Sequence, residues 1–321
     1  MKKLLLIALA VLCSHYLYPW GFYAHRQINY YAVFMLPPEM MALYKPNIQF
    51  LSDHAVDPDK RRYAVAAEGA RHYIDIDHYG TYPFDSLPHS WPKALEKYGN
   101  DTLQAYGIVP WYIQTMMFRL TAAFKAKDQV KVLKLSADIG HYIADAHVPL
   151  HVCSNHNGQL TNQQGIHAFW ESRIPELLAA TSWSFLMGKA TYIEHPGAFI
   201  WSRVLESAGA ADSVLRIERE LTARFSPDQK YSFEPRNGLL IKQYATAYCL
   251  AYDQQLNNMI ERRMQQSIMA VASCWYTAWV NAGQPDLKTL TNQQFSEDDR
   301  REFEELNAAW LKGTIKGKDC D

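Results

Sequence analysis

Two short segments of this chain carry side chains that bind metal ions. Residues 140–151, GHYIADAHVPLH, place His141 and Asp145 four positions apart within a run of helical apolar spacing. That spacing puts both side chains on one helix face, close enough to share an ion. His151 follows just beyond Val148-Pro149, where a helix must stop. Residues 165–171, GIHAFWE, repeat the device with His167 and Glu171. One imidazole and one carboxylate from adjacent turns make half a zinc site, and His151 can complete it. A single pair of this kind is usually a solvated surface pair. Two such pairs close together, with a third histidine between them, make that bland reading the weaker one.

Further donors lie upstream: His25, Asp53, His54, Asp57, His72, Asp75 and Asp77. A set of nitrogen and oxygen donors without thiolates suits catalytic zinc better than structural zinc. The five cysteines (13, 153, 249, 274 and 320) include no C-x-x-C pair, so a thiolate site is not expected. Three protein ligands and an open position leave room for a water whose pKa the metal brings to about 7. Asp57 precedes Pro58 and also reads as a helix cap. Asp75 and Asp77 are candidates to orient His72 from behind. His147 and His156 are expected in outer or exposed positions. His54, His78, His89 and His195 read as loop or surface histidines, and Trp170 as core.

Apolar periodicity predicts helices over 111–127 and 130–146, a third from about Gly165, and a long one over 239–282. The stripe of that last helix, from Leu240 through Tyr248 and Ile268 to Trp279, reads as plain core. Residues 72–79 (HYIDIDHY) alternate and read as a short extended piece. Residues 80–92 read as loop and 283–295 as linker. Ser296, followed by Glu297, Asp298 and Asp299, opens a final helix to about Lys312. The expected fold class is all-α: one multi-helical domain with a metal cluster in a cleft and a peripheral C-terminal helix.

Net charge is -1, so no global basic field marks a nucleic-acid binder. Metal ions can supply positive charge locally, so phosphodiesters are not excluded. Lys2, Lys3 and the apolar run 4–12 read as an export signal, too short to span a bilayer. The expected location is periplasmic, secreted, or lipid-anchored at Cys13.

Taken together, the pattern resembles the superfamily of bacterial zinc-dependent phospholipases C and fungal single-strand-specific nucleases. The matching elements are Trp20 with His25, Asp57 with His72, His141–Asp145–His151, and His167–Glu171. Trp20-Gly21 and Trp170 look more like the nuclease branch, and Glu171 like the phospholipase branch. Residues 270–283 are similar to the nucleases' closing helix. The resemblance spans about residues 20–283. It implies a zinc-dependent hydrolase domain over 20–283, beside the signal peptide over 1–19 and the C-terminal linker and helix over 284–321 that the residues themselves suggest. It also implies three zinc ions in one cleft. Asp57, His72, His141 and Asp145 would hold one. The free amine and carbonyl of Trp20 would hold a second with His25 and Asp145. His151, His167 and Glu171 would hold the third. Asp145 would bridge the close pair, and a hydroxide held there would attack phosphorus. On the residues alone, Asp53 is an alternative to Asp57. The substrate is nucleic acid or phospholipid, with Tyr23, Tyr79, Tyr82, Trp91 and Trp111 as candidate base platforms. The competing reading is a non-catalytic exported zinc-binding protein.

Overall fold

Proline occupies the first turn of several helices, where its missing N–H is not needed and its fixed φ suits the turn. The computed structural model describes residues 21–185, 187–236, 238–290 and 294–316, without the side chain of residue 236. The chain opens with α1 (Phe22–Phe34), α2 (Pro38–Tyr44), α3 (Ile48–Asp53) and α4 (Asp57–Arg61). After two 3-10 turns come α5 (Trp91–Tyr98), α6 (Asn100–Tyr106), α7 (Val109–Lys125) and α8 (Gln129–Asp145). The short α9 (Ile166–Ala168) and α10 (Ile174–Leu178) flank a π-helical turn, Phe169–Arg173. Then follow α11 (Pro196–Thr222), α12 (Pro227–Lys230), strands β1 (Tyr231–Arg236) and β2 (Leu239–Tyr244), α13 (Thr246–Gln255), α14 (Met259–Asn281) and α15 (Glu297–Leu311). The protein is all-α, with one two-stranded sheet among the described residues. No helix among them is long and apolar enough to cross a membrane.

The main core forms where α1, α7, α8 and α14 pack together. Asp128 caps α8 by accepting from Lys131 N at 3.0 Å. On the crossing of α1 and α8, Asn29 donates to the carbonyls of Leu51 (3.0 Å) and Ala137 (3.1 Å). Gly140 leaves room for it, since a Cβ there would lie 1.9 Å from Asn29 Oδ1. A second apolar cluster joins α9, α10, α11 and α13 around Phe169, Trp170, Tyr248 and Tyr252.

The long helix expected over 239–282 is instead three elements. Residues 239–244 pair with 231–236 as an antiparallel hairpin, Tyr231 opposite Tyr244 and Phe233 opposite Lys242. Asn257 and Asn258, both at positive φ, then separate α13 from α14. Asparagine tolerates that conformation, so it can end one helix and start another without glycine. The piece at 72–79 is not extended: it carries a 3-10 turn at Ile76–Tyr79. The final helix has the expected capping box between Ser296 and Asp299.

Candidate metal centre

Seven segments each deliver one or two donors to a common region. The first turn of α1 brings in His25, and α4 brings in Asp59. His72 follows the 3-10 turn Gly69–Arg71. The last turns of α8 supply His141 and Asp145. His151 sits in the 3-10 turn opened by Pro149. His167 lies on α9 and Glu171 in the π turn after it. Three groups able to hold a metal ion result: His25, His141 and Asp145; Asp59, His72 and His141; and His151, His167 and Glu171.

The distances match what a cation would impose. His141 Nε2 lies 3.0 Å from His72 Nδ1, 3.3 Å from Asp145 Oδ2 and 3.5 Å from Asp59 Oδ1. His167 Nε2 lies 3.2 Å from His151 Nε2 and 2.9 Å from Glu171 Oε2. A tetrahedral zinc with ligands at about 2.0–2.1 Å sets neighbouring donors roughly 3.3 Å apart. Asp145 divides its oxygens. Oδ2 faces His72 at 3.1 Å and His141, while Oδ1 faces His25 at 3.4 Å and His151 at 3.8 Å. Oδ1 is buried and accepts no hydrogen bond, a costly arrangement for a carboxylate unless a cation sits beside it. The donor set therefore fits metal ions.

The charge states point the same way. Burial opposes ionisation of Asp145 and Glu171, but the surrounding histidines outweigh it and hold both carboxyls well below the usual range. Burial also opposes charge on His141 and His151, yet Asp145 and its carboxylate neighbours raise both to about 9. Burial, then His141 beside it, lowers His25 to about 4. Ionised carboxylates thus face imidazoles whose protons a metal would displace.

The surroundings fix these ligands. His141 Nδ1 donates to Ala55 O at 2.9 Å, which leaves Nε2 as the ligand atom. Behind His72, Nε2 faces Glu68 Oε1 at 3.8 Å. Glu68 is fully buried and accepts from Arg61 (3.3 Å), Arg71 (2.5 Å) and the Tyr142 hydroxyl. Asp77 instead accepts from the backbone and side chain of Ser154. His147 is buried rather than exposed. Burial and then Arg263 lower its pKa to about 3, so it stays neutral.

The carboxylate expected from Asp57 comes from Asp59. Two residues on a helix turn by about 200°, so the two side chains of α4 point to opposite sides. Asp57 accepts from His54 (2.6 Å) and Lys60 (3.3 Å) and lines a cavity of about 750 Å³ between α8 and α15. That cavity is larger than the metal cleft but holds none of the three groups. Asp53 accepts from Gln49 at the surface. Trp20 lies outside the described residues, as do Cys13, Cys320 and residues 1–19. The neighbouring Gly21 N donates to Ser172 Oγ, and a Cβ on Gly21 would meet Glu171 Oε1 at 2.7 Å. The chain therefore enters beside the third group.

The three groups open into a cleft of about 220 Å³ whose rim includes Phe22, Arg62, Tyr63 and Asn157. None of the expected base platforms lines it: Tyr79 and Trp111 are core, and Tyr82 is exposed elsewhere. The C-terminal segment braces the rim. Trp310 packs on Phe22 with ring centroids 5.6 Å apart, and Lys316 N donates to Arg62 O at 3.1 Å. Sequence reading missed Asp59, Arg62 and Glu68. The i, i+4 spacing of Glu68 and His72 was the one available signal. Fold and site define an all-helical protein with clustered histidines and carboxylates able to hold metal ions. No family model and no curated protein matches the chain.

Proposed function

We propose that this protein is an exported zinc-dependent phosphodiesterase of the phospholipase C and single-strand nuclease kind. The observation that carries the reading is Asp145, whose two oxygens face two different groups of donors. A bridging carboxylate of this kind suits paired metal ions, and paired ions suit in-line displacement at phosphorus. Nitrogen and oxygen donors without thiolate favour zinc, with the two groups that share His141 able to serve a close pair bridged by Asp145 and the third group a separate ion. Bound zinc would act as a Lewis acid and lower the pKa of water at neutral pH.

The chain's own residues have separate tasks. Asp59, His72, His141, His25 and Asp145 would hold the pair, and His151, His167 and Glu171 the third ion. Ala55 O keeps the His141 imidazole in orientation, and the Glu68 carboxylate stands 3.8 Å behind His72 Nε2. Arg62 and Tyr63 line the cleft beside Asp59. The apolar segment after Lys2 and Lys3 supports export. An open cleft against the donors speaks for turnover rather than storage.

The test is one purified sample taken through metal analysis and assays on single-stranded DNA, RNA and phosphatidylcholine. Zinc should be present, and turnover should vanish with chelator and return with zinc. A folded, metal-replete sample without zinc overturns the zinc assignment. Zinc without turnover on any phosphodiester leaves the storage reading.

A further inference from the structure

The β1–β2 hairpin stands beside the metal cleft and turns apolar side chains to solvent. Phe233 is 65% exposed, Leu240 68% and Leu239 41%. Single exposed apolar residues are ordinary, but Phe233 and Leu240 share one face of the hairpin and form a patch, with Leu239 on the opposite face. The base of the hairpin is firmly held. Arg173 donates to Tyr244 O (3.1 Å) and to Glu234 (2.8 Å), and Tyr244 stacks on Phe169 at 4.0 Å. Among the described residues nothing comparable covers the Phe233 and Leu240 side chains.

The ladder sorts the hairpin by polarity. Cross-strand partners share a face, so Tyr231, Phe233, Pro235, Leu240, Lys242 and Tyr244 lie on one side. Lys242 Nζ sits 4.1 Å from the Tyr231 ring centre. Tyr231, Lys242 and Tyr244 line a pocket of about 320 Å³ that shares Gly165 and Ala168 with the metal cleft. Moving outward from the cleft, Tyr231 and Tyr244 come first, Phe233 and Lys242 share the next level with the lysine head turned back to the Tyr231 ring, and Leu240 lies nearest the turn. At about 3.3 Å per residue, Leu240 stands roughly 7 Å beyond Lys242 and roughly 13 Å beyond Tyr244 along the strand.

We infer that this hairpin is a docking device for a lipid surface. Leu240 and Phe233 enter the acyl boundary, while Tyr231, Tyr244 and the Lys242 head turned back towards Tyr231 meet the phosphate-bearing headgroups next to the metal cleft. A depth of about 5–10 Å is what interfacial segments reach, and amphipathic tyrosine with lysine suits the headgroup level. A nucleic-acid strand fits less well. Leucines offer no stacking face, and the exposed face carries one lysine where strand binding wants several cations. The surface goes beyond the proposed hydrolysis, and binding does not require turnover.

The experiment uses the full, metal-loaded protein with phosphatidylcholine vesicles and with vesicles containing added phosphatidylglycerol. Co-sedimentation should show binding to both, tighter with the anionic lipid. Phe233→Ser combined with Leu240→Ser should weaken it by about tenfold or more. Metal content, circular dichroism and hydrolysis of a small soluble phosphodiester should stay unchanged. Leu240→Ser alone provides a milder step of the same sign. Vesicle binding without hydrolysis of any substrate would sink the hydrolase reading and leave the docking surface standing. No vesicle binding by the wild type, or equal binding by the double variant, overturns the inference. It is also overturned if the substitutions abolish oligonucleotide binding, or self-association, without affecting vesicles.

Discussion

Replacing Glu68 by Gln tests how the ligand shell is held. The side chain is fully buried, keeps its shape in the variant, and loses only its charge. Burial works against its ionisation, but His72, Arg61 and the Tyr142 hydroxyl together depress its pKa from 4.5 to about 2. At about 1.4 kcal/mol per pH unit, that depression stabilises the fold by roughly 3 kcal/mol at neutral pH. The folded pKa lies below the unfolded one. The contribution is therefore complete above about pH 4.5 and disappears as pH falls towards 2. Urea unfolding of wild type and Glu68→Gln, both in chelator so that metal release does not contribute, should differ by about 3 kcal/mol at pH 7. The gap should close steadily below pH 4.5. Zinc competition at pH 7 should show affinity about 10–100-fold weaker in the variant, because His72 loses its carboxylate. A gap that is absent at pH 7, or as large at pH 3 as at pH 7, refutes the argument.

Three further outcomes follow from the same geometry. Asp59→Asn should strip metal from the His72–His141 group, whereas Asp57→Asn should keep metal content and cost about 2 kcal/mol of stability; elemental analysis beside urea unfolding separates them, and the reverse pattern restores Asp57 as ligand. Asp145→Asn should remove more bound metal than His25→Ala, since its oxygens face two groups, and equal losses in native mass spectra would contradict bridging. Gly140→Ala should destabilise by about 1–3 kcal/mol despite alanine's better helix propensity, because its Cβ collides with Asn29; an unchanged urea midpoint would show that the α1–α8 crossing relaxes freely.

Legibility in the sequence followed the range of the interactions. His141 with Asp145, and His167 with Glu171, are one-turn relationships that a helical period exposes directly. The helices expected over 111–127 and 130–146 are observed at Val109–Lys125 and Gln129–Asp145. The choice between Asp57 and Asp59 was not legible. Both fit a spacing argument, and only the direction of the short α4 separates them. The hairpin was hidden for a related reason. Residues 239–244 are apolar enough to extend a helical stripe, and their strand state depends on pairing with 231–236. Glu68 has local partners in Arg61, Arg71 and His72, but its burial depends on the Tyr142 hydroxyl from the distant α8, which no local pattern reveals.

The rim of the metal cleft joins the first described helix to the last through Phe22 with Trp310, and the residue after α4 to the segment beyond α15 through Arg62 with Lys316. Contacts so far apart along the chain form late, since the loop between them must close first. The donors from α1 to Glu171 precede α15 in order of synthesis, so they exist before the rim that will enclose them. The cleft takes its final shape only when the closing helix docks. The compartment in which folding is completed, rather than the one in which translation starts, then sets the pool of ions from which the finished site selects.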